Sequence, residues 1–228
     1  MTPRHASRKA LVAALAAVAF AAMPMLAPAQ TAQTAPAAAS AEANGSASRL
    51  VLDNTRRILK TIEARRAEFT ADRAALRGFI IREFDALFDR DYSARQVLGR
   101  HARGADEADI RLFGDALAEN ILQRYGSSLL DLNTQLQVRI KSETPLPRNV
   151  GVRVSSELVR AGAEPIPVDY LLRRAGNDWR VFDVMVAGVS MVQTFRQQFD
   201  AELQRKSIRQ VAEELRSGRI QATANTGG

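Results

Sequence analysis

The chain has 228 residues, 46% of them hydrophobic and 25% charged, and it contains no cysteine. Disulfide scaffolds, cysteine nucleophiles and cysteine-ligated metal centres are therefore excluded, and the fold must rest on its apolar core. The formal net charge of +7 falls to +4 beyond residue 29, and the arginines alternate with acids (Arg82-Glu83, Asp89-Arg90-Asp91). That pattern offers no concentrated basic face, so nucleic acid is not an expected partner. A mildly basic surface suits anionic head groups or an acidic partner, or is simply a solvated arginine-rich exterior.

Arg4, Arg8 and Lys9 precede an uncharged run from Ala10 to Ala22, and Ala27-Pro28-Ala29 supplies small residues where a signal peptidase reads. Residues 1–29 read as a cleaved secretory signal peptide. A membrane anchor is the competing reading, but the run is shorter than the roughly 20 residues a span needs. Residues 30–48 are rich in Ala, Thr and Pro and nearly devoid of large apolar side chains, which predicts a flexible linker. A single domain is expected over 49–220, with a frayed tail over 221–228.

The first helical stretch, from Leu50 to about Phe69, places Leu52, Ile58, Leu59 and Ile62 among many charges. A stronger stripe follows: Leu76, Phe79, Ile80, Phe84, Leu87 and Phe88 recur at helical steps. From the residues alone this stripe belongs to the protein core, with a ligand-facing wall as the alternative. Asp106, Glu107 and Asp109 read as the acidic first turn of the next helix, since no histidine or further carboxylate lies one turn away to complete a metal site. That helix carries Ile110, Phe113, Leu117, Ile121, Leu122, Tyr125 and Leu129.

Strands begin near Leu136, where Leu136, Val138 and Ile140 alternate with polar residues until Pro145. Val150, Val152 and Val154 form the second strand, and Ile166, Val168, Tyr170 and Leu172 the third. Ala175-Gly176-Asn177-Asp178 signals a hairpin into the fourth, whose apolar residues fall in both alternation classes and predict cover on both faces. Ala187-Gly188 breaks this strand, and Val189, Val192, Phe195, Arg196 and Phe199 then recur at helical spacing. Ser207 is the expected N-cap of a last short helix with Val211 and Leu215. Short hairpin links make an α+β domain, a four-stranded antiparallel sheet packed against helices.

The stretch from Trp179 to Phe199, WRVFDVMVAGVSMVQTFRQQF, resembles the toluene-tolerance family of MlaC-type periplasmic phospholipid-binding proteins. FGDALAENILQRYGSSL, from Phe113 to Leu129, is similar to the family at the corresponding place, as are Phe84-Asp85-Ala86-Leu87 and Val97-Leu98-Gly99-Arg100. The intervening Phe88-Asp89-Arg90-Asp91 departs from the pattern. The resemblance covers roughly Leu76 to Leu215. It implies a curved cone of the NTF2 type with an internal apolar cavity, and a carrier that shuttles phospholipid through the periplasm and maintains outer-membrane asymmetry. The implied partners are an inner-membrane ABC transporter complex with its lipid-binding ring subunit and an outer-membrane lipoprotein–porin complex. No cofactor is implied.

On that resemblance, the tail-contacting residues are expected on the inward faces. The helices would contribute Phe84, Phe88, Phe113, Leu117, Tyr125 and Phe195. The strands and the segment after them would add Val152, Val154, Tyr170, Val184, Val186 and Val189. A sister branch associated with hopanoids makes a polycyclic lipid the alternative cargo. An enzyme of the NTF2 type is the remaining alternative, and Asp183, a carboxylate inside an apolar strand, is its one candidate acid or base. A hydrogen-bonded anchor, with Arg153 or Arg173 on neighbouring strands as its partner, is the structural reading of the same residue. His101, between Arg100 and Ala102, reads as a surface residue.

Overall fold

The computed structural model describes residues 46–131, 136–160 and 162–224. The expected signal peptide and the linker as far as residue 45 lie outside the described residues, as does 225–228 of the expected tail. No described helix is long and apolar enough to cross a membrane.

Helix α1 runs Ala47–Ala64, with the Ser46 side chain accepting from the Arg49 amide. The helix therefore starts two residues before the expected domain boundary, and Ala47 is fully buried. The stretch expected to continue to Phe69 divides at Arg65 into α1 and a short α2, Arg66–Ala71. Asp72 caps α3, Arg73–Leu87, by accepting from the amides of Ala74 and Ala75. Its C-cap, Phe88, forms a bridge with Val181, and Asp89 then caps α4, Arg90–Leu98. The departure at 88–91 is thus a helix-to-helix turn pinned to the sheet. Asp106 caps α5, Glu107–Tyr125, and Glu107 and Asp109 sit in its first turn as expected. This helix gives way to a 3-10 segment at Gly126, so the apolar face expected to continue to Leu129 changes path there.

The sheet has five antiparallel strands in chain order: β1 Gln137–Pro145, β2 Val152–Val159, β3 Ile166–Ala175, β4 Asp178–Val186 and β5 Val189–Ser190. The fifth strand corrects the expectation of four. Ala187 (φ 48°) and Gly188 (φ 83°) make a two-residue turn that folds Val189 and Ser190 back onto β4. Helix α6, Met191–Leu203, consequently starts at Met191, and Val189 belongs to the sheet. Only Asp178 of β4 is exposed, as its two apolar faces predict. Ser207 and Gln210 form a capping box at α7, Ile208–Arg216.

Buried apolar residues gather in three clusters. One joins α4, α5, α6 and α7 around Phe113 and Phe199, whose rings meet edge to face at 5.7 Å. A second lies between the sheet and α1, around Val51, Val154, Leu172 and Val181. The third holds Phe69 stacked on Phe79 at 5.6 Å, with Ile62 and Leu129 beside them.

Asp183 joins the sheet to α6. Its carboxylate accepts from the Ser190 hydroxyl at 2.5 Å and from the Val192 amide at 3.0 Å, so it satisfies the first turn of the helix. The partners suggested from sequence are engaged elsewhere: Arg173 pairs with Asp89 at 2.9 Å, and Arg153 lies 3.9 Å from Asp169. Burial raises the Asp183 pKa, and the hydrogen bonds from Ser190 and the amides of Val192, Val184 and Met191 oppose that shift only in part.

Four variants test these contacts. Asp183→Ala leaves the α6 donors without an acceptor and should lower unfolding stability by about 2 kcal/mol in urea melts. Because the folded carboxyl holds its proton more tightly than the unfolded one, its contribution is present at acid pH and lost as pH rises through the folded pKa. Asp183→Asn should flatten that decline, and an unchanged pH slope would count against it. At Gly151 an added Cβ would lie 1.9 Å from the Leu172 carbonyl oxygen. Gly151→Ala should cost about 1–3 kcal/mol, whereas Gly126→Ala, with nothing within 4 Å, should cost nothing in the same melts.

Candidate functional site

A cavity of about 220 Å³ opens where the three apolar clusters meet. Each cluster supplies a wall. Leu117, Val192 and Phe195 come from the helical cluster, Leu87 and Tyr170 from the sheet cluster, and Leu129, with Ile58 and Ile80, from the third. The interior side chains of each group satisfy one another and leave a common space unfilled.

One wall is aromatic. Phe84 and Phe88 stack at 4.1 Å with their planes 11° apart, and the Arg90 guanidinium sits 5.8 Å from the Phe84 centroid. The stripe read on α3 therefore divides: Phe79 enters the core, while Phe84 and Phe88, both half-buried, face the cavity. Beside it, a bulge in β4 shapes the wall. The ladder passes from Leu171↔Asp183 to Leu172↔Val181, leaving Phe182 unpaired, and Phe182, Asp183 and Val184 all line the cavity. Strict alternation would have turned Phe182 away.

The polar groups along the wall already have partners. Glu83 accepts from Arg57 at 2.7 Å and from Asn54 at 3.1 Å. Arg90 is held by Asp85 and Asp115. Ser93 donates to the carbonyls of Asp89 and Phe182. Burial raises the Tyr170 pKa against an opposing hydrogen bond with Thr55, so this hydroxyl is neutral at physiological pH. Among the described residues no buried side-chain nitrogen or oxygen lacks a partner. The wall thus presents hydrocarbon and aromatic surface, with its charges neutralised at the edges.

Of the residues expected to contact ligand, the structure brings six to this cavity: Phe84, Phe88, Leu117, Tyr170, Val184 and Phe195. The other six lie elsewhere. Phe113 and Tyr125 are buried in the helical cluster, and the Tyr125 hydroxyl receives a hydrogen bond from Arg124. Val154 and Val186 are buried in the sheet cluster, Val152 packs against it, and Val189 packs against the helical cluster from β5. Sequence reasoning missed Ile58, Ile80, Leu87 and Ile121 as wall residues, although all four had been placed on apolar helix faces. It had no signal for Phe182, which depends on the bulge, or for Ala224, which lies in the expected tail.

Gly114 sets the approach of α4 to α5. A Cβ there would come within 3.2 Å of the Ala94 Cβ and 3.4 Å of the Arg90 Cγ. His101 lies away from the cavity, where it is partly covered and hydrogen-bonded to Asp200 at 2.9 Å. This hydrogen bond, together with Gln204 and Arg100, holds the Asp200 carboxyl below its ordinary range. Among the described residues no group of three or more histidines and carboxylates is placed to hold a metal ion.

Comparison with known proteins agrees with this architecture. The family model described as MlaC protein matches residues 52–217. The toluene tolerance protein ttg2D of Pseudomonas putida is 24% identical over 159 residues, which are 68% of this chain and 72% of that protein. The intermembrane phospholipid transport system binding protein MlaC of Haemophilus influenzae is 26% identical over 141 residues, 60% of this chain and 65% of its own length. A solved phospholipid-binding protein from Ralstonia solanacearum, in complex with a phospholipid, has the same fold with a TM-score of 0.67 at 19% identity. That likeness covers 76% of this chain and 98% of the other. Since the match spans β1 to β5 and all the helices except the first turn of α1, the chain belongs to the MlaC family.

Proposed function

We propose that this protein is a periplasmic carrier that takes phospholipid acyl chains into the cavity between sheet and helices. In this reading it is exported by the signal peptide and moves lipid between an outer-membrane lipoprotein–porin complex and an inner-membrane ABC transporter complex with its lipid-binding ring subunit. Its work would maintain outer-membrane lipid asymmetry. The observation that carries the proposal is an apolar cavity whose polar edge groups are internally paired. The phospholipid named for the Haemophilus and Ralstonia relatives supports it.

Two chains of about 16 carbons represent ~25 kcal/mol of burial at about 0.8 kcal/mol per methylene. A bilayer already shelters that surface, so a carrier need only match it. At about 220 Å³ the cavity is smaller than the about 300–1,000 Å³ of pockets for drug-sized ligands, so loading must part the walls. The bulges in the sheet support reading it as the curved cone that the resemblance implies. An enzymatic role for Asp183 is less favoured, because both carboxylate oxygens already hold α6.

Native mass spectrometry of protein purified from periplasm, followed by lipid extraction, should find a diacyl phospholipid in near equimolar amount. A hopanoid would move the cargo to the sister branch, and an empty protein that takes no lipid from vesicles would refute the carrier reading. Leu117→Trp narrows the cavity from α5 and should reduce bound lipid about tenfold, the effect of excluding roughly two methylenes. Val152→Trp, away from the cavity, should leave the lipid content unchanged wherever the melting curve shows an intact fold.

A further inference from the structure

Beyond α7 the described chain, as far as Ala224, packs back onto the helices. It turns at Gly218 (φ 72°) and runs back over α5 and α6, where Ala222 is fully buried and Ala224 is 6% exposed. Two side-chain amides grip this segment as a neighbouring strand would. Asn120 on α5 donates to the carbonyls of Leu215 (2.7 Å) and Ile220 (3.1 Å) and accepts from the Ala222 amide at 2.9 Å. Gln198 on α6 donates to the Gln221 carbonyl at 2.6 Å and accepts from the Thr223 amide at 3.0 Å. Arg124 adds a contact to the Gln221 side chain.

Successive backbone groups of Ile220 to Thr223 are thus bound from two helices at once, and the segment lies across the seam between them. Ala224, at its end, is part of the cavity wall beside residues of α5 and α6. Asn120 is otherwise difficult to account for, being a buried amide on an apolar helix face. A buried amide left without partners would cost about 1–3 kcal/mol, and here all its polar capacity is spent on the tail and the end of α7. The segment lies beyond residues 52–217, which the family model matches.

We propose that Gln221 to Ala224 form a stopper that closes the cavity at the α5–α6 seam and limits the length of acyl chain the protein accepts. Asn120 and Gln198 are its positioning residues, and Ala224 is the specificity-determining wall. The proposal rests on the phospholipid-carrier reading for its main readout. A small side chain at position 224 leaves room in the cavity, and a large one would take it away. Removing the stopper lengthens the cavity along the seam.

The test compares the secreted full chain with three variants: deletion of Gln221 to Gly228, Gln198→Ala and Ala224→Phe. Each is incubated with vesicles of mixed saturated phosphatidylcholines from dilauroyl to distearoyl, and bound lipid is read by native mass spectrometry. Deletion and Gln198→Ala should shift the bound population toward longer chains, by about fourfold for each added methylene accommodated. Ala224→Phe should shift it toward shorter chains. An unchanged profile in variants with an intact melting transition would overturn the stopper. If the deletion fails to fold, Gln198→Ala and Ala224→Phe decide the matter, because Gln198 is partly exposed and neither change removes a core side chain. If the wild type takes up no lipid, the carrier reading fails, and anilinonaphthalenesulfonate fluorescence then decides the stopper separately. Stronger dye binding by the folded deletion variant supports it, and equal binding refutes it.

Discussion

An interior that leaves its own centre unfilled has to be held open from its edges. Close-packed cores gain dispersion energy by eliminating voids, so a persistent apolar cavity means that surrounding elements are prevented from collapsing. Here three apolar clusters each pack to completion on different partners. The sheet claims Val51 and Val181, α5 and α6 claim Phe113 and Phe199, and α2 and α3 claim Phe69 and Phe79. None of these groups can move inward without giving up its own contacts. The cavity follows from that division.

Polar joints tie the elements that carry these clusters to one another. Asp183 ties β4 to the start of α6, Asn120 ties α5 to the end of α7 and the tail, and Arg173 ties β3 to Asp89 at the start of α4. Buried polar groups are costly without partners and specific with them, so each joint admits one arrangement. A purely apolar interior of the same volume would have more ways to shrink. Asp183, the residue that invited a catalytic reading, has both carboxylate oxygens engaged in holding the start of α6.

The arginine-rich exterior follows a different logic. Arg57 meets Glu83, Arg139 meets Glu157 and Arg209 meets Asp109. Exposed pairs of this kind add little stability. They do balance part of the basic charge locally.

Periodicity and capping chemistry made most of the elements legible from the residues. Asp106, Ser207, the alternation through Val168 and Tyr170, and the apolar stripe from Leu76 to Phe88 all depend on neighbours within a few positions. The family was legible for the same reason, because WRVFDVMVAGVSMVQTFRQQF is a local pattern of strand, turn and helix. The tertiary structure alone decided which apolar residues fill the core and which border the cavity. Phe79 and Phe84 are five residues apart on one stripe and end in different places. The bulge that brings Phe182 to the cavity arises between two strands, and Ala224 reaches the wall because amides about 100 and about 25 residues earlier hold its neighbours. A sequence states how apolar a side chain is, but whether a space lies beside it depends on how distant elements pack.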